Sequence, residues 1–245
     1  MKILFISLGC DKNLADSEEM LGLLTGNGHE IVDSEEEADA IVINTCCFIH
    51  DAKEESVNTI LEMAEYKKNG TCKILIVTGC MAQRYKEEIT EEIPEVDAVL
   101  GTTSYGDIVK ALNEAEAGHV FQEFKDINAL PEDSGRRVIT TGGHFGYLKI
   151  AEGCDKHCTY CIIPSLRGKF RSVPEERLLK QAEYMASQGV RELILVAQET
   201  TVYGTDLYGK KTLHILLKKL CQIKGIRWIR VLYCYPEEIY DELIQ

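Results

Sequence analysis

A buried strand and the helix after it decide the fold of this chain: AIVINT at residues 40–45, then a helical pattern at residues 51–68. An unbroken apolar run of strand length is typical of a strand that is covered on both faces. Residues 51–68 carry apolar side chains at helical spacing, and Asn69-Gly70 is a helix stop. A strand followed by a helix is the repeating unit of an α/β domain with a parallel sheet.

The same strand and helix unit recurs through the first half of the chain. We predict strands at residues 2–8, 73–78 and 98–100, and helices at residues 13–24, 82–93 and 105–117. Such alternation implies a parallel sheet that is covered by helices. Residues 1–120 are therefore predicted to form an open parallel-sheet α/β domain.

Three cysteines directly follow three of the predicted strands: Cys10, Cys46 and Cys80. The carboxyl ends of parallel strands share the edge where such sheets bind ligands, so the three thiols are expected to converge there. Thiolates suit iron-sulfur clusters and zinc about equally, and we predict a three-thiolate metal site. The alternative is that each cysteine is a small buried hydrophobe. Cys47 would point elsewhere or serve as a spare thiol, and Cys72 is assigned a structural role.

A second group of cysteines lies in GCDKHCTYCIIP at residues 153–164, with the spacing C-x3-C-x2-C. These are Cys154, Cys158 and Cys161. Three thiolates are one short of the four protein ligands of a closed zinc or iron-sulfur site, so the spacing favours a cluster with one open iron. The alternative is a zinc site with His157 as the fourth ligand. It is disfavoured because His157 directly precedes Cys158, whereas paired ligands usually have residues between them.

Composition places the chain of 245 residues among soluble globular proteins, with 45% hydrophobic and 27% charged residues. The first apolar run is too short for a signal peptide or a membrane span, so we expect a cytoplasmic protein with no membrane partner. Ten cysteines in such a protein are more often metal ligands or catalytic groups than disulfides. The formal net charge of −13 opposes strong nucleic-acid binding and suits a basic protein partner, although acidic runs alone are usually solvated faces.

The alternating pattern breaks at residues 121–143, which we assign to a linker because turn-forming residues cluster there. Residues 144–245 are predicted to form a second α/β domain, in which the cysteine loop follows the first strand. Barrels of strands and helices carry their active sites in such loops. The predicted elements are strands at 146–151, 192–197 and 227–233, a helix that starts at Ser172 and a helix at 212–221.

Two segments resemble a known family. SLGCDKNLADSE at residues 7–18 is similar to the opening of the methylthiotransferases, closest to the RimO branch. Residues 153–164 resemble the cluster loop of radical S-adenosylmethionine enzymes. Two positions depart from the usual family pattern, since Asp11 replaces a proline and Cys47 replaces a glycine. Neither departure removes a candidate ligand.

The resemblance implies two 4Fe-4S clusters, each held by one of the two cysteine sets. The loop cluster would reduce S-adenosylmethionine to a 5'-deoxyadenosyl radical with an electron from an external donor, and the other cluster would supply sulfur. Candidate contacts to S-adenosylmethionine are Tyr160, in the loop, and Gln198 and Glu199, at the end of the second predicted strand. The last two could equally cap a loop.

The RimO branch modifies an aspartate of protein twelve of the small ribosomal subunit, so the implied substrate is a ribosomal protein. A tRNA adenosine methylthiotransferase of the MiaB type is the first alternative, disfavoured by Lys12-Asn13-Leu14 and by the acidic charge. A non-enzymatic protein in which zinc staples the cysteine loop is the second.

Only about three strand and helix units fit into residues 144–245, whereas a complete barrel takes about 250 residues. Members of the family usually have a longer partial barrel and then a small all-β TRAM domain, and neither remainder is in this sequence. We therefore expect a fragment that covers about the first half of the family's length and lacks turnover by itself. Any nucleic-acid contact is expected only from the absent C-terminal part.

Overall fold

The strand Ala40–Thr45 is buried along its whole length and pairs in parallel with a neighbouring strand on each side. It belongs to the first of two compact units, Met1–Val138 and Ile139–Gln245, in a computed structural model that describes residues 1–132 and 134–245. The strands of the first unit are Lys2–Ser7 (β1), Glu30–Val32 (β2), Ala40–Thr45 (β3), Ile74–Gly79 (β4), Ala98–Leu100 (β5) and Phe121–Glu123 (β6). They form one six-stranded parallel sheet in the order β2-β1-β3-β4-β5-β6. The predicted parallel α/β fold is confirmed.

The helices described in the first unit alternate with these strands. They are Asp11–Gly26 (α1), His50–Asn69 (α2), Cys80–Arg84 (α3), Lys86–Glu92 (α4) and Ile108–Glu116 (α5). Apolar residues of α1 and α5, among them Met20 and Leu112, are buried in one cluster with strand residues such as Ile76. The core therefore lies between the sheet and its helices, as the apolar strand runs predict.

The helix predicted at residues 82–93 is two helices instead of one. The chain bends at Tyr85, where φ is −116° and ψ is 30°, so this residue ends α3 and precedes α4. Helical spacing alone does not reveal one non-helical residue between two helical turns. The first of the two helices, α3, begins at Cys80 itself, directly at the end of β4.

Two strands of the first unit, β2 and β6, are absent from the sequence-based assignment. Each has three residues, and each pairs with only one neighbour at an edge of the sheet. Such short segments carry too little periodicity to be recognised, because pairing with a distant strand defines them. The strand β6 lies inside residues 121–143, which the sequence analysis assigned to a linker.

A buried ion pair fixes the end of the first unit on α1. The Nε and Nη2 atoms of Arg137 donate to Oε2 of Glu18 at 2.8 and 2.6 Å, and both side chains are buried. The amide of Val138 donates to the Glu18 carbonyl oxygen at 3.0 Å. A Cβ atom on Gly22 would lie 2.6 Å from the carbonyl carbon of Arg136, so this glycine allows the two backbones to touch. The first unit consequently extends to residue 138, beyond the end predicted at 120.

The strands of the second unit are Phe145–Lys149 (β7), Ala151–Glu152 (β8), Arg171–Ser172 (β9), Glu192–Val196 (β10) and Trp228–Val231 (β11). Three of them form a parallel sheet in the order β11-β10-β7, and β8 and β9 form a separate antiparallel pair. Its helices are Ile163–Arg167 (α6), Glu175–Ser187 (α7), Thr205–Tyr208 (α8), Leu213–Leu220 (α9) and Asp241–Ile244 (α10). The three predicted strands of this region are all present.

Ser172 does not start a helix, which corrects the sequence-based assignment. It lies in β9, and its Oγ accepts a hydrogen bond from the Gly204 amide at 2.9 Å. The helix α7 instead begins after Pro174, whose fixed φ suits a helix entrance. The serine hydroxyl thus binds a loop amide that is distant in sequence, and a local capping rule cannot anticipate such a partner.

In the part of the chain that the structure describes, every helix is too short or too polar to cross a membrane.

Replacing Arg137 with alanine is expected to destabilise the first unit by about 3–5 kcal/mol, because Glu18 would remain buried without this guanidinium. Urea unfolding followed by circular dichroism measures the change. The exposed neighbour provides the control, and Arg136→Ala is expected to cost less than about 0.5 kcal/mol. Equal unfolding midpoints for the two variants would contradict a role for the ion pair in holding residues 136–138 on α1.

Candidate metal centres at the strand ends

The three cysteines predicted from the first unit follow three adjacent strands. The strands β1, β3 and β4 are neighbours, and their register pairs Ser7 with Asn44 and Thr45 with Gly79. The cysteines come shortly after these paired positions, at the carboxyl edge of the sheet: Cys10, Cys46 and Cys80. The parallel topology therefore delivers all three to the same edge.

A glycine with positive φ precedes two of these cysteines and brings the chain against the end of β3. The φ angle is 90° at Gly9 and 93° at Gly79. A Cβ atom on Gly9 would lie 2.6 Å from Cβ and 2.9 Å from Sγ of Cys46. One on Gly79 would lie 2.5 Å from the carbonyl oxygen of Thr45. Neither turn has room for a side chain, so the ends of β1 and β4 pack directly on β3.

Buried amide side chains bind the strand ends together. Nδ2 of Asn13 donates to the carbonyl oxygens of Leu8 and Thr45, each at 2.9 Å. Nδ2 of Asn44 donates to the Asn13 carbonyl oxygen and to Oγ of Ser17, again at 2.9 Å. Because buried backbone carbonyl groups need donors, these two amides hold the ends of β1 and β3 at a fixed separation.

Cys46 and Cys47 are adjacent in sequence but are held differently. The Ser56 hydroxyl accepts from the Cys46 amide at 3.0 Å and donates to its carbonyl oxygen at 2.8 Å, which fixes that backbone on α2. Burial, with a smaller contribution from Cys80, raises the pKa of the Cys47 thiol to about 11. Cys46 is the thiol that lies against the Gly9 turn.

The loop of the second unit begins with the same glycine and cysteine turn. Gly153 has a φ angle of 69°, and a Cβ atom there would lie 2.5 Å from the Gly168 carbonyl oxygen. The Cys154 amide donates to that oxygen at 3.1 Å. Oδ1 of Asp155 accepts from the Phe170 amide at 3.0 Å. Residues 168–170 therefore brace the first part of the cysteine loop.

A buried ion cluster lies next to this turn. The Glu152 carboxylate pairs with Lys149 on β7 and, at 3.5 Å, with Arg167 on α6. Burial alone would raise the pKa of Glu152, but the two cations outweigh burial and hold this pKa below its ordinary value. The cluster thus joins the strand before the loop to the helix after it.

The three cysteines of the loop differ in exposure. Cys154 is buried, Cys161 is partly exposed and Cys158 is exposed. Burial raises the pKa of Cys154, and the charges of Glu199, Cys161 and Cys158 act in the same direction. The Cys161 amide donates to the Cys158 carbonyl oxygen at 3.0 Å and closes a turn. His157, the candidate zinc ligand, is exposed.

Within residues 1–132 and 134–245, no three His, Cys, Asp or Glu side chains are grouped closely enough to hold a metal ion as they stand. The fold brings one cysteine set to one sheet edge and the other set to one loop. Metal ligation by both sets remains a prediction. Its basis is the topology and the donor chemistry, since thiolates are the usual protein ligands of iron-sulfur clusters.

The predicted cofactor contacts lie in different environments. Tyr160 has 86% of its surface exposed, whereas Glu199 is buried after the end of β10. Oε1 of Glu199 accepts from Oγ1 of Thr201 at 3.3 Å. Oε1 of Gln198 is buried and has no hydrogen-bond partner among the described residues. Buried acceptors are nearly always paired, so this atom is a candidate acceptor for a bound ligand.

Lys156 and Tyr235 belong to the same region and were not predicted from the sequence. Nζ of Lys156 lies 3.7 Å from Oε2 of Glu199 and 4.5 Å from the centre of the Tyr235 ring. A single sequence does not indicate that a lysine in a loop and a tyrosine after a strand belong to a binding site. The glycine turns are indicated by the sequence, because the dipeptide Gly-Cys occurs at residues 9–10, 79–80 and 153–154.

Two family models match the chain. Residues 2–101 match the uncharacterized protein family UPF0004, and residues 148–245 match the radical SAM superfamily. The two matches fall in the two structural units and include all six candidate cysteine ligands.

Curated relatives match the chain over its whole length. The chain is 67% identical over 244 residues to the ribosomal protein uS12 methylthiotransferase RimO of Lachnoclostridium phytofermentans, covering 100% of this chain and 56% of the relative. Over its whole length the chain is thus similar to the RimO branch of the radical S-adenosylmethionine methylthiotransferases. Proteins of the same name from Clostridium botulinum (strain Eklund 17B) and Clostridioides difficile are 54% and 52% identical, each covering 100% of this chain and 55% of the relative. The chain spans about half the length of the curated relatives it matches.

Solved structures of radical S-adenosylmethionine enzymes share the fold of this chain. The methyltransferase TsrM from Kitasatospora setae, solved with cobalamin and a 4Fe-4S cluster, matches with a TM-score of 0.62 and 12% identity, covering 99% of this chain and 56% of TsrM. The cobalamin-dependent enzyme OxsB, solved with aqua-cobalamin and S-adenosylmethionine, matches with a TM-score of 0.54 and 15% identity over 93% of this chain and 38% of OxsB. At these identities the likeness shows the fold alone.

Replacing Gly79 with alanine is expected to destabilise the first unit by roughly 1–3 kcal/mol, because the positive φ and the Thr45 carbonyl both exclude a Cβ atom. Gly106→Ala is the matched control, since a Cβ atom there meets nothing within 4 Å. Urea unfolding compares the two variants. If Gly79→Ala were as stable as the control, the turn before Cys80 would tolerate a side chain and the packing argument would fail.

Proposed function

We propose that this chain supplies the two metal-binding units of a methylthiotransferase that adds a methylthio group to an aspartate of ribosomal protein uS12. One observation carries the proposal: three cysteines follow three adjacent parallel strands, in a chain that also contains a three-cysteine loop. Two separate three-thiol sets suit a reaction that needs both a radical source and a sulfur source. The names of the relatives support the substrate.

Each cysteine set is proposed to hold one 4Fe-4S cluster. The donor chemistry fits, because three thiolates ligate three irons and leave the fourth iron without a protein ligand. When bound, the loop cluster supplies one-electron reduction of S-adenosylmethionine, which gives access to an unactivated C–H bond that acid-base side chains cannot attack. The electron must come from an external donor. The ligands proposed are Cys10, Cys46 and Cys80 for one cluster and Cys154, Cys158 and Cys161 for the other.

Residues of this chain would hold the clusters and S-adenosylmethionine and shield them from water. Asn13 and Asn44 keep the ends of β1 and β3 together, so the thiols that follow start from fixed backbone positions. For S-adenosylmethionine, Gln198 offers a buried acceptor and Glu199 a buried carboxylate. Tyr160 offers an exposed ring that can cover the adenine.

The charge of the chain supports a protein substrate. A formal net charge of −13 repels the phosphates of RNA and attracts a basic partner. Many ribosomal proteins are basic. We therefore propose a small-subunit ribosomal protein as the partner of this chain and no nucleic-acid contact through its own surface.

Anaerobic reconstitution is expected to load about eight irons per chain, four for each cluster. Cys46→Ala is expected to lower the iron content to about four, whereas the matched variant Cys47→Ala is expected to keep about eight, because Cys46 faces the Gly9 turn. Iron and labile-sulfide assays measure both. Equal losses in the two variants would contradict the ligand assignment. One zinc without iron would contradict both clusters and favour a zinc-stapled protein.

The substrate is tested with a protein that contains this chain and has the full length of the curated relatives, together with S-adenosylmethionine, a reductant and ribosomes. Mass spectrometry is expected to find a methylthio group on an aspartate of uS12, and a Cys154→Ala control is expected to leave the ribosomes unmodified because it lacks a ligand of the loop cluster. A methylthio group on tRNA adenosine instead of uS12 would contradict the protein substrate.

A further inference from the structure

The ammonium of Lys156 lies among three carboxylates and an aromatic ring. Nζ is 3.3 Å from Oε1 of Glu237, 3.5 Å from Oε1 of Glu238 and 3.7 Å from Oε2 of Glu199. It also lies 4.5 Å from the centre of the Tyr235 ring. We refer to Glu199, Glu237, Glu238 and Tyr235 as the cation site.

All three distances between Nζ and the carboxylates are longer than the roughly 2.7–2.9 Å of a strong charge-assisted hydrogen bond. Glu238 has a closer cation, since Lys211 Nζ lies 2.8 Å from its Oε2. The side chain of Glu237 is 61% exposed, so water screens its charge. Lys156 is therefore held by several weak contacts and by no strong one.

Of the three carboxylates, that of Glu199 has the least access to water and therefore the greatest need of a cation in this site. Its side chain is only 5% exposed, and its contacts with Lys156 and with Oγ1 of Thr201 are 3.7 and 3.3 Å long. A buried carboxylate is costly unless a cation or short hydrogen bonds compensate for its lost hydration. A cation that approaches Glu199 more closely than Lys156 does would therefore bind favourably.

The position of the site and its chemistry indicate the kind of cation. Lys156 lies between Cys154 and Cys158 in the cysteine loop, and Glu199 and Tyr235 follow the ends of β10 and β11. An ammonium or sulfonium group is attracted both by a carboxylate and by an aromatic face. S-adenosylmethionine carries both of these cations on one short chain.

We propose that Lys156 is a tethered competitor for the cationic part of S-adenosylmethionine: its ammonium occupies the cation site in the free chain, and cofactor binding displaces it. The inference rests on the proposed function, because that function places S-adenosylmethionine at this loop. The flexible stem of lysine allows the ammonium to move into solvent, where its side chain is already 25% exposed. Lys156 thereby sets the affinity for the cofactor.

The test is equilibrium dialysis of S-adenosylmethionine against the reconstituted chain under anaerobic conditions. Lys156→Met is expected to bind about two- to fivefold more tightly than the wild type, the range that a weak ion pair implies. Lys180→Met removes the same charge from the exposed face of α7 and is expected to leave the affinity unchanged. In a Glu199→Gln background, Lys156→Met is expected to give no gain, since the carboxylate for which the two cations compete is gone.

The outcomes separate this inference from the proposed function. If the wild type binds S-adenosylmethionine and Lys156→Met binds equally or more weakly, the inference is overturned and the proposed function stands. If neither the wild type nor Lys156→Met binds S-adenosylmethionine while both proteins keep their iron, the inference and the proposed function are overturned together. Lys156→Gln serves as a second variant, and loss of iron from both variants would show that Lys156 holds the loop, which also overturns the inference.

Discussion

Both candidate centres depend on one constraint, a glycine with positive φ directly before a cysteine. This glycine lies at the end of a strand in the first unit and at the start of the cysteine loop in the second. The φ angles of Gly9, Gly79 and Gly153 are 90°, 93° and 69°. Residues with a Cβ atom avoid this conformation, and at each of the three positions a Cβ atom would overlap with a neighbouring segment. The absence of a side chain thus permits the close approach that places the next cysteine.

In the first unit, parallel pairing brings the turns at Gly9 and Gly79 to the same edge of the sheet. Because β1, β3 and β4 are adjacent and run in the same direction, their carboxyl ends must lie at one edge. Near this edge the side-chain amides of Asn13 and Asn44 donate to the backbone carbonyl oxygens of Leu8, Thr45 and Asn13. Asn13 and Asn44 therefore bind backbone carbonyl groups and also fix the strand ends that precede the candidate ligands.

The sequence predicts the strands and the cysteine edge because both follow from local patterns. The run at residues 40–45 is a strand by its apolar character, and the rule for parallel sheets then places Cys46 at the ligand-binding edge. The turns before Cys10, Cys80 and Cys154 were predictable too, from the repeated Gly-Cys dipeptide.

Contacts between residues far apart in sequence could not be predicted in this way. Arg137 binds Glu18 across 119 positions and Lys156 reaches Glu237 across 81, and no local rule links such residues. The edge strand β6 is another example, since its three residues are a strand only through their pairing with β5. The end of the first unit and the residues around Lys156 could therefore be identified only from the structure.

The central claim, that three strand-end cysteines form a metal centre of their own, is tested most directly by a variant in which the loop cysteines Cys154, Cys158 and Cys161 are replaced with alanine. The variant is reconstituted with 57Fe and examined by Mössbauer spectroscopy. The account predicts about four irons per chain with the spectrum of a single 4Fe-4S cluster, held by Cys10, Cys46 and Cys80. A folded variant that binds no iron, while the unaltered chain does, would contradict it.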